Sequence, residues 1–183
     1  MLKNFIKILL TIAIVSFVTV LSGCTDNTDK QNADKVDLKQ EKERLEEANR
    51  NLVLREKAMI DEYIKNSDKE FVETGTGLRY RIVSQGNDSL IKTGDVVTME
   101  YEMRLLNGDL LYSSDNDGLK TFEVGHGGVE SGLEEAVLYM HKGDEAEVII
   151  PAYLAYGLIG DGNRIPPRGI IVYNLKIIDN QIN

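Results

Sequence analysis

Cys24 is the only cysteine of the chain, and His126 and His141 are its only histidines. The side chains most often used for nucleophilic or metal chemistry are therefore scarce. A catalytic thiolate needs a neighbouring cation or base to lower its pKa, and Cys24 has no basic residue close by in sequence. One cysteine allows no intramolecular disulfide, and with two well-separated histidines it builds no metal cluster. No serine sits in a local nucleophile motif, and the histidines fall in loops or at a helix end rather than in a triad. Gly125-His126-Gly127-Gly128 lacks the spacing and the Lys-Ser/Thr pair of a phosphate-binding loop. Any reaction catalysed here must proceed without a protein nucleophile, a metal or another cofactor. The formal net charge of -9 repels phosphate backbones, so a nucleic-acid partner is not expected.

Cys24 has a different context. Lys3 and Lys7 precede or edge an apolar run from Phe5 to Leu21, which ends in Leu21-Ser22-Gly23-Cys24. A basic start, an apolar stretch and small residues before a cut form a secretory leader. The uninterrupted part, Ile8 to Leu21, has 14 residues, short of the ~20 that span a bilayer as an anchor. Leu-Ser-Gly-Cys resembles a lipobox, at which bacterial lipoproteins are lipidated on the cysteine and cleaved before it. That resemblance implies a signal peptide at residues 1–23, lipid attachment at Cys24 and a membrane partner through it. The protein would sit in the cell envelope, facing the periplasm or the exterior, held there by acyl chains whose buried methylenes contribute about 0.8 kcal/mol each.

Residues 24–35 are polar and read as a flexible tether. Residues 36–66 turn to Glu, Lys, Arg, Leu and Ala without Gly or Pro, which predicts a helical spacer. Leu38, Leu45, Leu52 and Met59 recur at sevens, a thin stripe that packs lightly on the next domain or, alternatively, forms a weak homodimer through residues 36–66. Residues 67–183 read as the folded domain. Leu78 to Val83 is a short strand. Val97, Met99, Tyr101, Met103 and Leu105 alternate with polar residues, the period of a half-buried strand. Asn107-Gly108 marks a hairpin leading back through Leu110 to Tyr112. Ser131 with Glu134 reads as a capping box opening a helix whose inner face is Leu133, Val137 and Met140 and which ends at Gly143. Strands follow at Ala146 to Ile150 and Ile171 to Ile177. Antiparallel strands with one amphipathic helix predict an α+β fold: a curved antiparallel sheet wrapped around one short helix, preceded by the spacer.

Five segments occur in order: Val97-Thr98-Met99-Glu100-Tyr101, Gly108 to Ser114, Val129-Glu130-Ser131-Gly132-Leu133, Leu154-Ala155-Tyr156-Gly157 and Ile165-Pro166-Pro167. Together they resemble the FKBP-type peptidyl-prolyl isomerases over about Leu78 to Asp179. Taken singly, each tyrosine or leucine on an alternating strand reads as core packing. The resemblance implies a shallow apolar pocket. Its walls would be Tyr101, Leu111 where the family usually has phenylalanine, Phe122, Val129, Ile165 and Tyr173. Leu133 would take a floor position often held by tryptophan. The Glu130 N–H would bind a substrate carbonyl, and the Tyr156 hydroxyl would donate to bound ligand. Tyr112 departs from the family by standing where an aspartate commonly precedes Ser-Ser, which removes a carboxylate from the pocket.

The implied activity is cis/trans isomerisation of X-Pro bonds in unfolded or exported polypeptides. Rotation faces a barrier of about 20 kcal/mol because amide resonance is lost at the twisted geometry. A dry apolar pocket favours the twisted amide, and fixed donors to the flanking carbonyls draw binding energy into the rotation. The alternative of another class is an FKBP-like holdase or binding module with little turnover, motivated by Tyr112. A third reading is an envelope lipoprotein such as those associated with gliding machinery.

Overall fold

The computed structural model describes residues 27–86 and 89–181. The proposed leader and Cys24 lie outside these residues. The chain divides into two compact units at Asn49/Arg50.

Helix α1 runs Asn27–Asn66, beginning inside the segment read as a tether. Nothing between 27 and 35 breaks a helix: there is neither Gly nor Pro, and Lys, Gln and Ala are good formers. In the first unit, residues 37–49 are exposed and carry ion pairs at helical spacing, Lys39–Glu43 at 3.8 Å and Lys42–Glu46 at 3.7 Å. Such solvated pairs add only tenths of a kcal/mol, of order 0.3–0.5 each. The helix stops where the Ser67 N–H and hydroxyl both turn back to the Ile64 carbonyl and Asp68 takes a φ of +52°.

The second unit holds the rest of α1 and all the strands: β1 Val72–Glu73, β2 Arg79–Ser84, β3 Val96–Leu105, β4 Leu110–Ser113, β5 Lys120–Glu123, β6 Glu145–Ile150 and β7 Ile171–Gln181. Helices α2 (Ser114–Asp117) and α3 (Ser131–Val137) flank β5, and a 3-10 turn, Ala152–Leu154, follows β6. All pairings are antiparallel, in the order β1-β2-β6-β7-β3-β4, with β5 pairing the first half of β3. Gly108, at φ +95°, turns β3 into β4 as the Asn107-Gly108 pair predicts. The α+β expectation therefore holds: the sheet curves around α3, whose Leu133, Ala136 and Val137 are sealed from solvent with Met140 just beyond it.

Two local expectations fail. Ser131 does not cap α3: Glu130 does, in an extended conformation (φ -58°, ψ 140°), and its carbonyl accepts from Leu133 and Glu134 N–H at 3.0 and 3.2 Å. Ser131 Oγ instead donates to the Leu154 carbonyl, and the Glu134 carboxylate accepts the Gly127 N–H at 2.8 Å. The capping-box residues are thus recruited by neighbouring loops. Nor does α3 reach Gly143. After Val137 the bonds tighten to i→i-3, from Leu138, Tyr139 and Met140, and Gly143 serves the turn into β6.

On the outer face of the sheet, Ile60 of α1 packs with Ile149, Ile170 and Val172. The side that packs is therefore Val53, Glu56, Ile60, Tyr63 and Ile64, while Leu38, Leu45 and Met59 of the sevens stripe are 71, 62 and 52% exposed. Polar ties fix this layer. Glu56, 5% exposed, accepts from Arg168 at 2.8 Å and from the Ala152 N–H at 3.1 Å. Glu147 is held by Lys69 and Arg81, each at 2.8 Å.

Candidate functional site

The N-terminus of α3 is the centre of the site. The extended backbone at Glu130 turns its carboxylate inward, leaving the side chain 3% exposed. Its N–H makes no hydrogen bond to another described residue. Two phenols converge on the carboxylate: the Tyr173 hydroxyl, from β7, donates to Oε1, and the Tyr156 hydroxyl lies 3.5 Å from Oε2. The Lys120 ammonium, from β5, donates to the Tyr173 hydroxyl at 2.9 Å and stands 3.8 Å from Glu130 Oε2. It also lies over the rings of Tyr101 and Tyr173, 5.1 and 5.4 Å from their centroids. Those two rings meet at 57° with centroids 5.9 Å apart.

The nine side chains singled out in the sequence fall in two tiers, six in the core and three at an open cavity. Tyr101, Leu111, Phe122, Leu133, Ile165 and Tyr173 belong to the main core cluster, and Val129 and Tyr156 are half-buried against it. Val129, Glu130 and Tyr156 also line an open cavity of about 350 Å³, with Lys120, Thr121, Gly127 and Gly128. Phe122 is in the core beside Gly128, whereas Lys120, two residues earlier on the same strand face, reaches the cavity.

Tyr112, in the place of the family carboxylate, donates its hydroxyl to Asp161 and accepts from Asn163 Nδ2 at 3.3 Å. Asp161 is fixed by the N–H groups of Asn163 and Ile165 at 2.9 and 2.8 Å. The Arg164 guanidinium stacks 4.6 Å over Tyr112, donating to the Leu111 carbonyl at 2.8 Å and to Asp117 at 3.1 Å. This binds the loop bearing Ile165 to β4. The loop is drawn tight at Gly160, where a Cβ would stand 2.1 Å from the Ile165 carbonyl oxygen.

Burial dominates the electrostatics. It pushes the Tyr156 and Tyr173 phenols well above their ordinary range, reinforced by the Glu130 carboxylate beside them. Burial also lowers the Lys120 ammonium, opposed only in part by Glu130. Tyr112 is raised chiefly by its bond to Asp161. For Asp161, burial acts upward, but the Tyr112 hydroxyl and the two N–H groups outweigh it and lower the carboxyl.

Lys120, Asp161 and Arg164 were not foreseen. Lys120 carried a usable signal, since residues 120 and 122 share a strand face and Phe122 points inward. Asp161 and Arg164 lie in a loop without periodicity and carried none. A larger open trough, about 460 Å³, crosses the outer face among Lys69, Arg81, Glu100, Glu145, Glu147 and Lys176. Most of its charges pair with one another, and Val83, Tyr101, Ala146 and Leu175 supply its apolar lining. Among the described residues, no group of three His, Cys, Asp or Glu side chains converges as a metal site, and no helix is long and apolar enough to cross a membrane.

Residues 87–178 match the family model of FKBP-type peptidyl-prolyl cis-trans isomerases. The chain belongs to that family. A probable FKBP-type isomerase, FkpA, of Neisseria meningitidis is 37% identical over 116 residues, covering 62% of this chain and 42% of that protein. The FKBP-type 22 kDa isomerase of Escherichia coli is 34% identical over 127 residues, covering 67% and 61%. The chain thus spans about half the length of the curated relatives it matches. The solved structure of FkpA from Escherichia coli shares the fold, with a TM-score of 0.62 over 96% of this chain and 82% of that one, at 22% identity. The FKBP domain here thus has its family's sheet and helix, with a charged pair set into the pocket region.

Proposed function

We propose that the FKBP domain isomerises X-Pro bonds in unfolded or exported polypeptides. The observation that carries this reading is that Glu130, whose N–H has no partner among the described residues, and Tyr156 line one cavity. Both donors stand against the core formed by Tyr101, Leu133 and Tyr173. A prolyl ring would rest on Val129 and Tyr156, with Leu111, Phe122 and Ile165 bracing the wall. The N–H would take a substrate carbonyl, and no covalent intermediate is needed. Donors that hold the flanking carbonyls while the amide twists stabilise the transition state more than the planar ground state.

An isomerisation assay on a proline peptide tests this. Wild type should accelerate exchange, and Tyr156→Phe should reduce kcat/KM by about two- to tenfold, the effect of one lost hydrogen bond. The second reading, a holdase with little turnover, draws support from the Lys120–Glu130 pair that occupies part of the hollow. No acceleration together with retained suppression of client aggregation would decide for it.

We further propose envelope localisation by lipid attachment at Cys24, supported by the leader and its Leu-Ser-Gly-Cys ending. Cys24→Ala should leave the protein unprocessed; wild-type-like cleavage and lipid labelling of the variant would sink the assignment. A weak homodimer through residues 36–66 is supported by the exposure of Leu38, Leu45 and Met59.

A further inference from the structure

A pocket for a proline ring has no need of an ammonium, yet Lys120 forms part of this one. An ammonium has three hydrogens to donate. The Lys120 ammonium has one acceptor within hydrogen-bond distance among the described residues, the Tyr173 hydroxyl at 2.9 Å. Glu130 Oε2, at 3.8 Å, is too far for a hydrogen bond and leaves a loose ion pair. The remaining neighbours are the faces of two tyrosine rings. The cation is therefore partly buried with a single protein acceptor among the described residues, and burial works against its charge.

The two members of the pair differ in reach. The Glu130 side chain is 3% exposed and enclosed by the two phenols and Lys120, while the Lys120 side chain is 19% exposed and borders the cavity. A ligand entering the cavity meets the cation, and the carboxylate is already covered. Lys120 is the only cationic side chain among the residues lining that cavity.

We propose that Lys120 is a specificity-determining residue, selecting polypeptides that carry a carboxylate side chain on a residue adjoining the proline. The incoming carboxylate supplies the acceptors that the ammonium lacks, in a site where a charge-assisted hydrogen bond is stronger than in water. This inference rests on the proline-pocket reading above and names the class of sequence the pocket prefers.

The test measures both binding and turnover on the full chain. Fluorescent tetrapeptides Ala-Xaa-Pro-Yaa, with Glu, Gln or Lys at Xaa or at Yaa, are titrated by anisotropy, and their exchange rates are followed by NMR. The glutamate peptide, in at least one of the two positions, should bind about fivefold or more tightly than its glutamine counterpart, with lysine weakest. Lys120→Gln should bring the ratio near one, and Lys120→Arg should keep it. Should Lys120→Gln fail to fold, a salt series on wild type replaces it: the preference must shrink as salt rises from about 0.05 to 0.5 M. Equal or weaker binding of the glutamate peptides in both positions overturns the proposal. So does a preference that survives Lys120→Gln or is indifferent to salt. Acid-selective binding without accelerated exchange upholds the proposal and removes the isomerase reading, whereas acceleration without acid preference does the reverse.

Discussion

Tyr156 and Tyr173 both direct their hydroxyls at Glu130, which gives the site a predictable response to alkali. Their pKa values lie above the ordinary 10.0 because burial, then the adjacent carboxylate, disfavours phenolate. In the unfolded chain these phenols ionise near 10. Above that pH the folded state holds more protons than the unfolded one, so the stability is fully present below about pH 10 and is lost as pH rises beyond it. Lys120 acts in the other sense and in another window: its lowered pKa makes its contribution rise with pH only until the unfolded lysine deprotonates near 10.5, so the fall above that pH belongs to the phenols. Urea midpoints should fall from about pH 10 upward, and Tyr156→Phe, with one raised phenol fewer, should show a shallower fall. An identical slope in wild type and variant would contradict this account. At this scale the ordered motifs pointed to Tyr101, Leu111, Val129, Glu130, Leu133, Tyr156 and Ile165, which lie in the core or at the cavity, while Phe122 and Tyr173 stand outside those motifs. The sequence concealed Lys120, whose inward direction competes with the usual reading of lysine as solvated, and Asp161, whose role exists only through a phenol 49 residues away in sequence.

The packed part of α1 is tied to the loop that carries Ile165 and the two prolines. Arg168 follows them with a φ of +59°, a conformation that costs a non-glycine residue roughly 1 kcal/mol or more. Glu56 holds it there with bonds of 2.8 and 3.3 Å, and the Leu52 carbonyl adds a third at 3.3 Å. Glu56→Ala removes the carboxylate and also leaves the Ala152 N–H without its acceptor. Because Arg168 is 30% exposed and can recover water, the expected loss is about 1–3 kcal/mol rather than the larger cost of breaking a fully buried pair. Chemical denaturation reads that loss, and a shift below 0.5 kcal/mol, the ordinary range for surface changes, would show the tie to be dispensable. Strand periods and the Asn107-Gly108 turn were legible as elements because each is local. The packing face of α1 was legible only in part: of the sevens at Leu38, Leu45, Leu52 and Met59 only Leu52 is half-buried, whereas the sheet's outer apolar patch selects Ile60. The true cap of α3 was not legible, since the Leu154 carbonyl that recruits Ser131 lies 23 residues on and the loop at Gly127 that recruits Glu134 has no periodicity.

The sheet as a whole was foreseen as curved and antiparallel, but its strand order was not, because pairing between distant strands leaves no local mark. That order has a consequence. β7 lies between β6 and β3, pairing Ile171 with both Ile150 and Leu105. The last described strand in chain order is therefore a middle stave of the sheet, and β2–β6 and β3–β4 have no direct seam without it. Chains ending before Ile171 should remain fully sensitive to protease, and a protected core at that length would refute the argument. A domain built this way cannot close while it is still being synthesised or threaded through a pore. It must wait, in need of protection, until β7 is free, and only then undertake its slowest, longest-range pairings.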